Sequence, residues 1–325
     1  MITVYLPTFN RAGKLREALT SLRLQTLDKR HFRVVVSDNA STDETASVIA
    51  EFGDLPLVHR RHQRNLGLIA NWCAARDFFD GDFFQFLSDD DLLSPFHLDL
   101  CLRELEARPQ VGVFGTGVLY GDGLWEMNTH RGDLRLGDRL LDPSDQCCHW
   151  SREAWLAAHS IYSAVSVNAC LFRTAVLREI VPLFDPSVAA LTDRWMMAQA
   201  GARAACVTTP WPTCALRVHD DNAIHGAGLV DMEDVGREIA RRVLDLGRHH
   251  GVDLVGFWRN YFQRSAQPRP DVATLIRHSY PTDLAAAILA GVESPQRRMD
   301  AWPLPASVKV ALREWRARWR RRVRV

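Results

Sequence analysis

The strongest constraint on this chain is an alternation. Over the first 120 residues, short apolar runs take turns with segments patterned for helix. ITVYLP (2–7), FRVVVSD (32–38), LPLVHRR (55–61), DFFQFLS (82–88) and VGVFGTGVLY (111–120) read as strands. Between them, AGKLREALTSLRLQ (12–25) places apolar residues at 15, 18, 19 and 22, a helical spacing. STDETASVIAEF (41–52) opens with Ser41 and Glu44 at capping-box separation. LGLIANWCAARDFF (66–79) and PFHLDLCLRELEA (95–107) are also helical, the second with Pro95 near its first turn.

Strands that read as unbroken apolar runs are covered on both faces. The pattern therefore predicts an α/β fold with a mainly parallel central sheet and helices on both sides. Ligands of such sheets sit beyond the carboxyl ends of the strands. The polar clusters PTFNR, SDNASTD and SDDD fall there, after the first, second and fourth strands.

The later chain is less regular. Residues 121–160 resist assignment, 164–172 read as a strand, and 191–202 begin a helix. Residues 205–226 read as extended and broken at Pro210 and Pro212, and from about 229 the pattern is helical. Neither G-x-G-x-x-G nor G-x-x-x-x-G-K-[ST] follows the first strand, which argues against a dinucleotide or P-loop protein.

Seven cysteines without a C-x-x-C pair argue against a disulfide framework or zinc knuckle and for a reducing compartment. The apolar run after Met1 stops at Pro7, short of a secretion signal, and no window reaches the ~18 apolar residues of a membrane span. The expectation is a cytoplasmic protein, with a peripheral membrane contact as a further option.

The acidic stretch FLSDDDLLSP has two readings on its own residues. Asp89, Asp90 and Asp91 supply hard oxygens for Mg²⁺ or Mn²⁺. Equally, aspartates populate turns before helices.

LPTFNR (6–11), VVSDNASTDET (35–45), RNLGLIANW (64–72), FLSDDDLLSP (86–95), TDRW (192–195) and LRVH (216–219) occur in the order seen in family 2 glycosyltransferases of the GT-A fold. The chain resembles that family over roughly residues 1–226. The resemblance implies a nucleoside-diphosphate sugar donor, Mn²⁺ or Mg²⁺, a saccharide or lipid-linked acceptor, and inversion at the anomeric carbon. It also divides the chain into a nucleotide-sugar-binding half (1–115), an acceptor half of the same domain (116–226) and a C-terminal helical region (227–325).

The resemblance assigns nucleotide binding to Pro7, Thr8, Phe9, Arg11, Asp38, Asn39, Arg64, Asn65, Gly67, Asn71 and Asp89. Phe9 has the π-face that a base stacks on, though a core aromatic is the alternative. Asp38 is placed to accept from an imide N–H or to shape its turn. Arg64 suits a diphosphate, Gly67 allows close backbone approach, and the helix that follows offers its N-terminus.

For metal the resemblance points to Asp90, with Asp91 and His219 as further ligands. Ser88 stands where the family's first acid falls, a departure from its pattern. Asp193 matches the family's general base, with a helix cap as the alternative. Asn168 and Trp195, with Asn222, are acceptor-pocket candidates. Two competing functions are a sugar-nucleotide nucleotidyltransferase, for which PTFNRAGK has too few glycines, and a non-catalytic module of the same fold.

Residues 307–325 carry eight Lys/Arg and one Glu, +7, leaving −6 for the rest of a chain whose total is +1. Val308, Leu312, Trp315, Trp319 and Val323 share helical spacing, so the end reads as a basic amphipathic helix. It suits docking on its own domain, a homo-oligomer contact or an anionic membrane surface. Nucleic acid is not an expected partner, because the remainder is acidic.

Overall fold

The computed structural model describes residues 1–121, 135–136, 139–140, 147–217, 229–264 and 270–290. His219, Asn222 and the basic end at 307–325 lie outside these residues.

The first half alternates as its sequence dictates. Strand β1 (Ile2–Thr8) is followed by α1 (Ala12–Arg23), β2 (Phe32–Asp38), α2 (Thr45–Ala50), β3 (Leu57–Arg61), α3 (Leu68–Cys73) and β4 (Phe83–Phe86). A two-residue strand β5 (Leu92–Leu93) precedes α4 (His97–Ala107) and β6 (Val111–Gly121). Every residue of β1 is buried, as an inner strand requires. In α1 the apolar set Leu15, Ala18, Leu19 and Leu22 faces the core.

One local expectation is corrected. Helix α2 starts at Thr45, and Ser41 does not cap it. Instead the Asp43 carboxylate accepts from the N–H groups of Thr45 (3.1 Å) and Ala12 (2.9 Å), tying the starts of two helices together. The Ser41 hydroxyl accepts from the Asn10 N–H at 3.0 Å.

After a small hairpin of β7 (Arg135–Leu136) and β8 (Arg139–Leu140) come β9 (Cys148–Trp150), α5 (Arg152–Ile161), β10 (Cys170–Arg173), α6 (Thr174–Arg178), α7 (Thr192–Arg203) and β11 (Ala205–Arg217). The large sheet runs β3-β2-β1-β4-β10-β6-β11-β5, with β9 pairing β11. Strands β3, β2, β1 and β4 are parallel. β10 is antiparallel to both neighbours, so it separates β4 from β6 and makes the sheet mixed. Because it runs backwards, β10 begins at the edge where the parallel strands end.

Helices α8 (Leu229–His249), α9 (Leu254–Arg264), α10 (Pro270–Ser279) and α11 (Thr282–Ile288) form the C-terminal extension. They share a core with α5 and α7 built on Leu156, Ile161, Ile239, Val243, Trp258 and Tyr280. Gly201 lets α5 meet α7 closely: a Cβ there would lie 2.0 Å from Trp155 Cδ1. The Trp155 indole N–H donates to the Met197 carbonyl at 2.8 Å in the same contact. Among the described residues, no helix is long and apolar enough to cross a membrane.

Candidate active site

The parallel register brings the three polar loops level. Thr8 pairs with Asp38 across β1 and β2, and Asp38 pairs with Arg61 across β2 and β3. Leu87, one step beyond β4, donates its N–H to the Tyr5 carbonyl. The acidic turn therefore starts beside the last residues of β1.

That turn is held by side chains from four parts of the chain. The Thr8 hydroxyl donates to Asp89 Oδ2 at 2.7 Å. Arg11 Nη1 reaches Asp89 Oδ1 at 3.2 Å and Asp90 Oδ2 at 2.9 Å. The Asn168 amide brackets the turn: its oxygen accepts from the Ser88 N–H (3.2 Å), and its nitrogen donates to Ser88 Oγ (2.9 Å) and Asp91 Oδ2 (2.6 Å). Asp91 Oδ1 accepts from the Arg217 N–H at 3.0 Å. Arg217 also donates to the Asp90 carbonyl and pairs with Glu17.

Behind the turn lies a buried polar chain. Gln85 Nε2 donates to the Asn168 carbonyl at 2.7 Å, and its oxygen meets His97 Nε2 at 3.1 Å. His97 Nδ1 meets Thr213 Oγ1 at 2.6 Å. Burial pushes the His97 pKa down to about 3, so the ring is neutral and can donate at one nitrogen while accepting at the other.

Electrostatics follow from this packing. Burial, then the neighbouring Asp90 charge, raises the Asp89 pKa to about 6, while Arg11 and Thr8 pull it back. Burial and Asp90 raise Asp91 to about 8, against the Arg217 N–H. Of the three carboxylates, Asp89 and Asp91 are buried and Asp90 is the more accessible. A turn with surplus negative charge and hard oxygens suits Mg²⁺, which takes one or two carboxylates and completes its shell with water and phosphate. Among the described residues, no three His, Cys, Asp or Glu converge as a full ligand set. Asp90 is the side chain that fits best, and Asp91 is engaged with Asn168 and the Arg217 backbone.

The nucleotide candidates form one loop system. Pro7 is inside β1. Phe9 is 39% exposed just past the strand. Asp38 is fully buried: Oδ1 accepts from the Ser41 N–H at 2.8 Å, and Oδ2 lies 3.2 Å from His59 Nε2. Its turn-shaping role is thus filled in this structure. Asn39 Nδ2 donates to Asn65 Oδ1 at 2.8 Å, and Asn65 in turn accepts from the Gly67 N–H. Gly67, at φ +83°, precedes α3 in a conformation that favours glycine. Asn71 is buried and exchanges hydrogen bonds with Ser37, while Arg64 is exposed. His59 and Ser37 were not visible as partners in the sequence; the alternation of β3 is the one signal that puts His59 and Arg61 on a common face.

Asp193 lies in the first turn of α7. The N-cap is Leu191, and it makes no side-chain cap bond, so the capping alternative for Thr192-Asp193 is not realised. Thr192 instead accepts from the Asp185 N–H at 2.5 Å. Arg194 is buried and donates to the His159 and Ser160 carbonyls at the end of α5. Burial raises the Asp193 pKa, partly countered by the Arg194 charge. Trp195 packs on the C-terminal helical core with the Arg242 guanidinium 5.9 Å from its ring centroid. Of the two acceptor-pocket candidates, Asn168 is bonded to the acidic turn and the half-buried Trp195 lies at the join to α8.

The sequence profile described as glycosyl transferase family 2 matches residues 3–154. Residues 3–154, a little under half of the chain, thus match glycosyl transferase family 2. The match runs from β1 to the first turn of α5, the segment that carries Thr8, Arg11 and the acidic turn. Abequosyltransferase RfbV of Salmonella typhimurium is 29% identical over 143 residues, 43% of each chain. Chondroitin synthase of Pasteurella multocida is 30% identical over 105 residues, 32% of this chain and 11% of that enzyme. These alignments span less than half the length of either relative. S. aureus TarS 1-349 in complex with UDP-GlcNAc superposes at TM-score 0.62 and 19% identity, covering 89% of this chain and 84% of that one. The mannosyltransferase PcManGT of Pyrobaculum calidifontis, in complex with GDP-Man and Mn²⁺, gives 0.54 at 20% identity, covering 97% and 80%. The fold of the chain is therefore GT-A, with helices added at its C-terminal end.

Proposed function

We propose that the protein transfers a sugar from a nucleoside-diphosphate sugar to a hydroxyl acceptor, with inversion, in the assembly of a bacterial surface polysaccharide or glycolipid. The observation that carries the reading is the meeting of Thr8, Arg11, Asp89 and Asp90 beyond the carboxyl ends of β1 and β4. Ligands bind at such edges in α/β sheets. RfbV, an abequosyltransferase by name, supports the polysaccharide setting.

On this reading Phe9 stacks on the base, the Asp38 turn frames it, and Arg64 faces the diphosphate. Asp90 would hold Mg²⁺ or Mn²⁺, which when bound supplies Lewis-acid stabilisation of the leaving diphosphate. Asp193 takes the acceptor hydroxyl proton. The freed oxygen lone pair bonds to the anomeric carbon while that carbon's bond to the diphosphate oxygen breaks, its electron pair leaving with the diphosphate. A carboxylate raised by burial is the better proton acceptor.

The decisive experiment starts from a thermal-shift screen with UDP-glucose, UDP-N-acetylglucosamine, GDP-mannose, CDP-glucose and dTDP-glucose, each with Mn²⁺. A bound donor raises the midpoint by mass action. The best donor is then followed for release of nucleoside diphosphate with and without Mn²⁺ or Mg²⁺. No stabilisation by any member, or wild-type release by Asp193→Ala, would overturn the reading or its base, respectively. For the segment 307–325, co-sedimentation with anionic vesicles is expected to weaken in a chain ending at residue 306.

A further inference from the structure

We infer that Arg242, on the C-terminal helix α8, is a positioning residue for Asp193, acting through Asp185 and Thr192. The inference rests on the base reading of Asp193.

The connection is continuous. Arg242 donates from Nη1 to Asp185 Oδ2 (2.8 Å), from Nη2 to Ser187 Oγ (2.9 Å) and from Nε to Glu238 Oε1 (2.7 Å). Asp185 Oδ1 accepts from the Ser187 N–H (2.8 Å) and hydroxyl (2.7 Å), closing the loop on itself. The Asp185 N–H then donates to Thr192 Oγ1, the residue directly before Asp193. On the other side, Arg194 is fastened to the carbonyls that end α5. Asp193 thus sits between two anchored neighbours, and one of the anchors ends in α8.

The guanidinium is well chosen for this. Its planar fork engages three acceptors at once, which an ammonium on a flexible stem cannot match in geometry. Both charged partners are mostly shielded, with side chains 22% and 18% exposed, so the pair is less screened than a surface bridge. The fork also lies near the Trp195 ring, two residues past Asp193. A carboxylate displaced by about 1 Å from its working position can lose about 10²-fold in rate. None of these groups belongs to the nucleotide loops, so the coupling touches the base and leaves donor binding alone.

The test compares Arg242→Ala, Arg242→Lys, Asp185→Asn and Asp193→Asn in the full chain. The probe is the donor that best stabilises the wild type in the screen above, with water as acceptor. Nucleoside-diphosphate release gives kcat and KM, and calorimetry with the free nucleoside diphosphate and Mn²⁺ gives affinity. The expected result is at least a tenfold fall in kcat for Arg242→Ala, donor KM and nucleotide affinity within twofold of wild type, and partial recovery in Arg242→Lys. If Arg242→Ala does not fold, Asp185→Asn must show the same split. Wild-type kcat in a folded Arg242→Ala, with Asp193→Asn inactive, overturns this inference alone. A parallel loss of kcat and nucleotide affinity also overturns it, as general damage. Wild-type kcat in Asp193→Asn removes the base reading and the inference with it.

Discussion

Asn168 Nδ2 donates to Asp91 Oδ2 over 2.6 Å, while its amide oxygen takes the Ser88 N–H, so one side chain fastens both ends of the acidic turn. Asn168→Ala leaves a buried carboxylate oxygen and a backbone N–H without these partners. We expect a loss of about 1–3 kcal/mol. Asn168→Asp keeps an acceptor for Ser88 but turns an oxygen toward Asp91, so its loss is larger. Urea unfolding checks both, and a wild-type midpoint in the alanine variant would dissolve the latch.

Arg11 is the cation that Asp89 and Asp90 share. The folded state raises the pKa of Asp89 to about 6 and of Asp91 to about 8. The sign follows: a raised carboxyl stabilises the fold below its unfolded value near 4, and that contribution is lost as pH rises through the folded value. Arg11→Met removes compensating charge, so its stability deficit should be wider at pH 8 than at pH 5. Millimolar Mn²⁺ should narrow the gap at pH 8 if the carboxylates take a cation. A deficit that is the same at both pH values would count against the charge argument.

Asp185 titrates in the opposite sense. Burial alone would raise its pKa, but bonds from Ser187 and Arg242 outweigh it and hold the carboxyl below the ordinary range. A depressed carboxyl contributes stability above its unfolded value near 4, lost as pH falls through the folded one. The stability gap between wild type and Asp185→Asn should therefore be full at pH 6 and shrink below pH 4. Guanidinium titrations across that window measure it.

Asp193 must be ionised to accept a proton, and burial raises its pKa. The acidic limb of nucleoside-diphosphate release should then lie above the usual aspartate range near 4. A limb at or below that value would show that another group governs the rate.

Gly201→Ala sets two effects against each other. Alanine favours a helix by about 1 kcal/mol over glycine. The new methyl, however, would sit 2.0 Å from the Trp155 ring, and relief must move a fully buried indole bonded to Met197. Overpacking of this kind costs about 1–3 kcal/mol, so a lower unfolding midpoint is expected. A raised midpoint would show that α5 yields.

The N-terminal half was legible because its signals are local. Apolar runs gave β1, β2 and β4, and the spacing of Leu15, Leu19 and Leu22 gave α1. The position of SDDD at a strand end followed from the same alternation. Strand direction has no comparable signal, so nothing in residues 164–172 announces that β10 runs backwards or that only Cys170–Arg173 pair in it. The partners of the turn were hidden for a related reason. Arg217 is an ordinary polar residue until the fold delivers it, and nothing around Asn168 announces that its amide meets the turn, or around Trp195 that Arg242 of α8 lies near its ring. Ser88 was visible as a departure from the family pattern, and its amide partner was not.

The latch has a consequence in time. The acidic turn meets Asn168 across 77 residues of chain and the Arg217 backbone across 126. During synthesis at ~5–20 residues per second, Asp91 precedes Arg217 by roughly 6–25 s. The four parallel strands β3, β2, β1 and β4 can pair within that interval, while the turn still lacks two of its fasteners. A nascent chain would thus own a sheet before it owns a site, and a ribosome-stalled fragment ending before residue 168 should leave Asp91 without its amide.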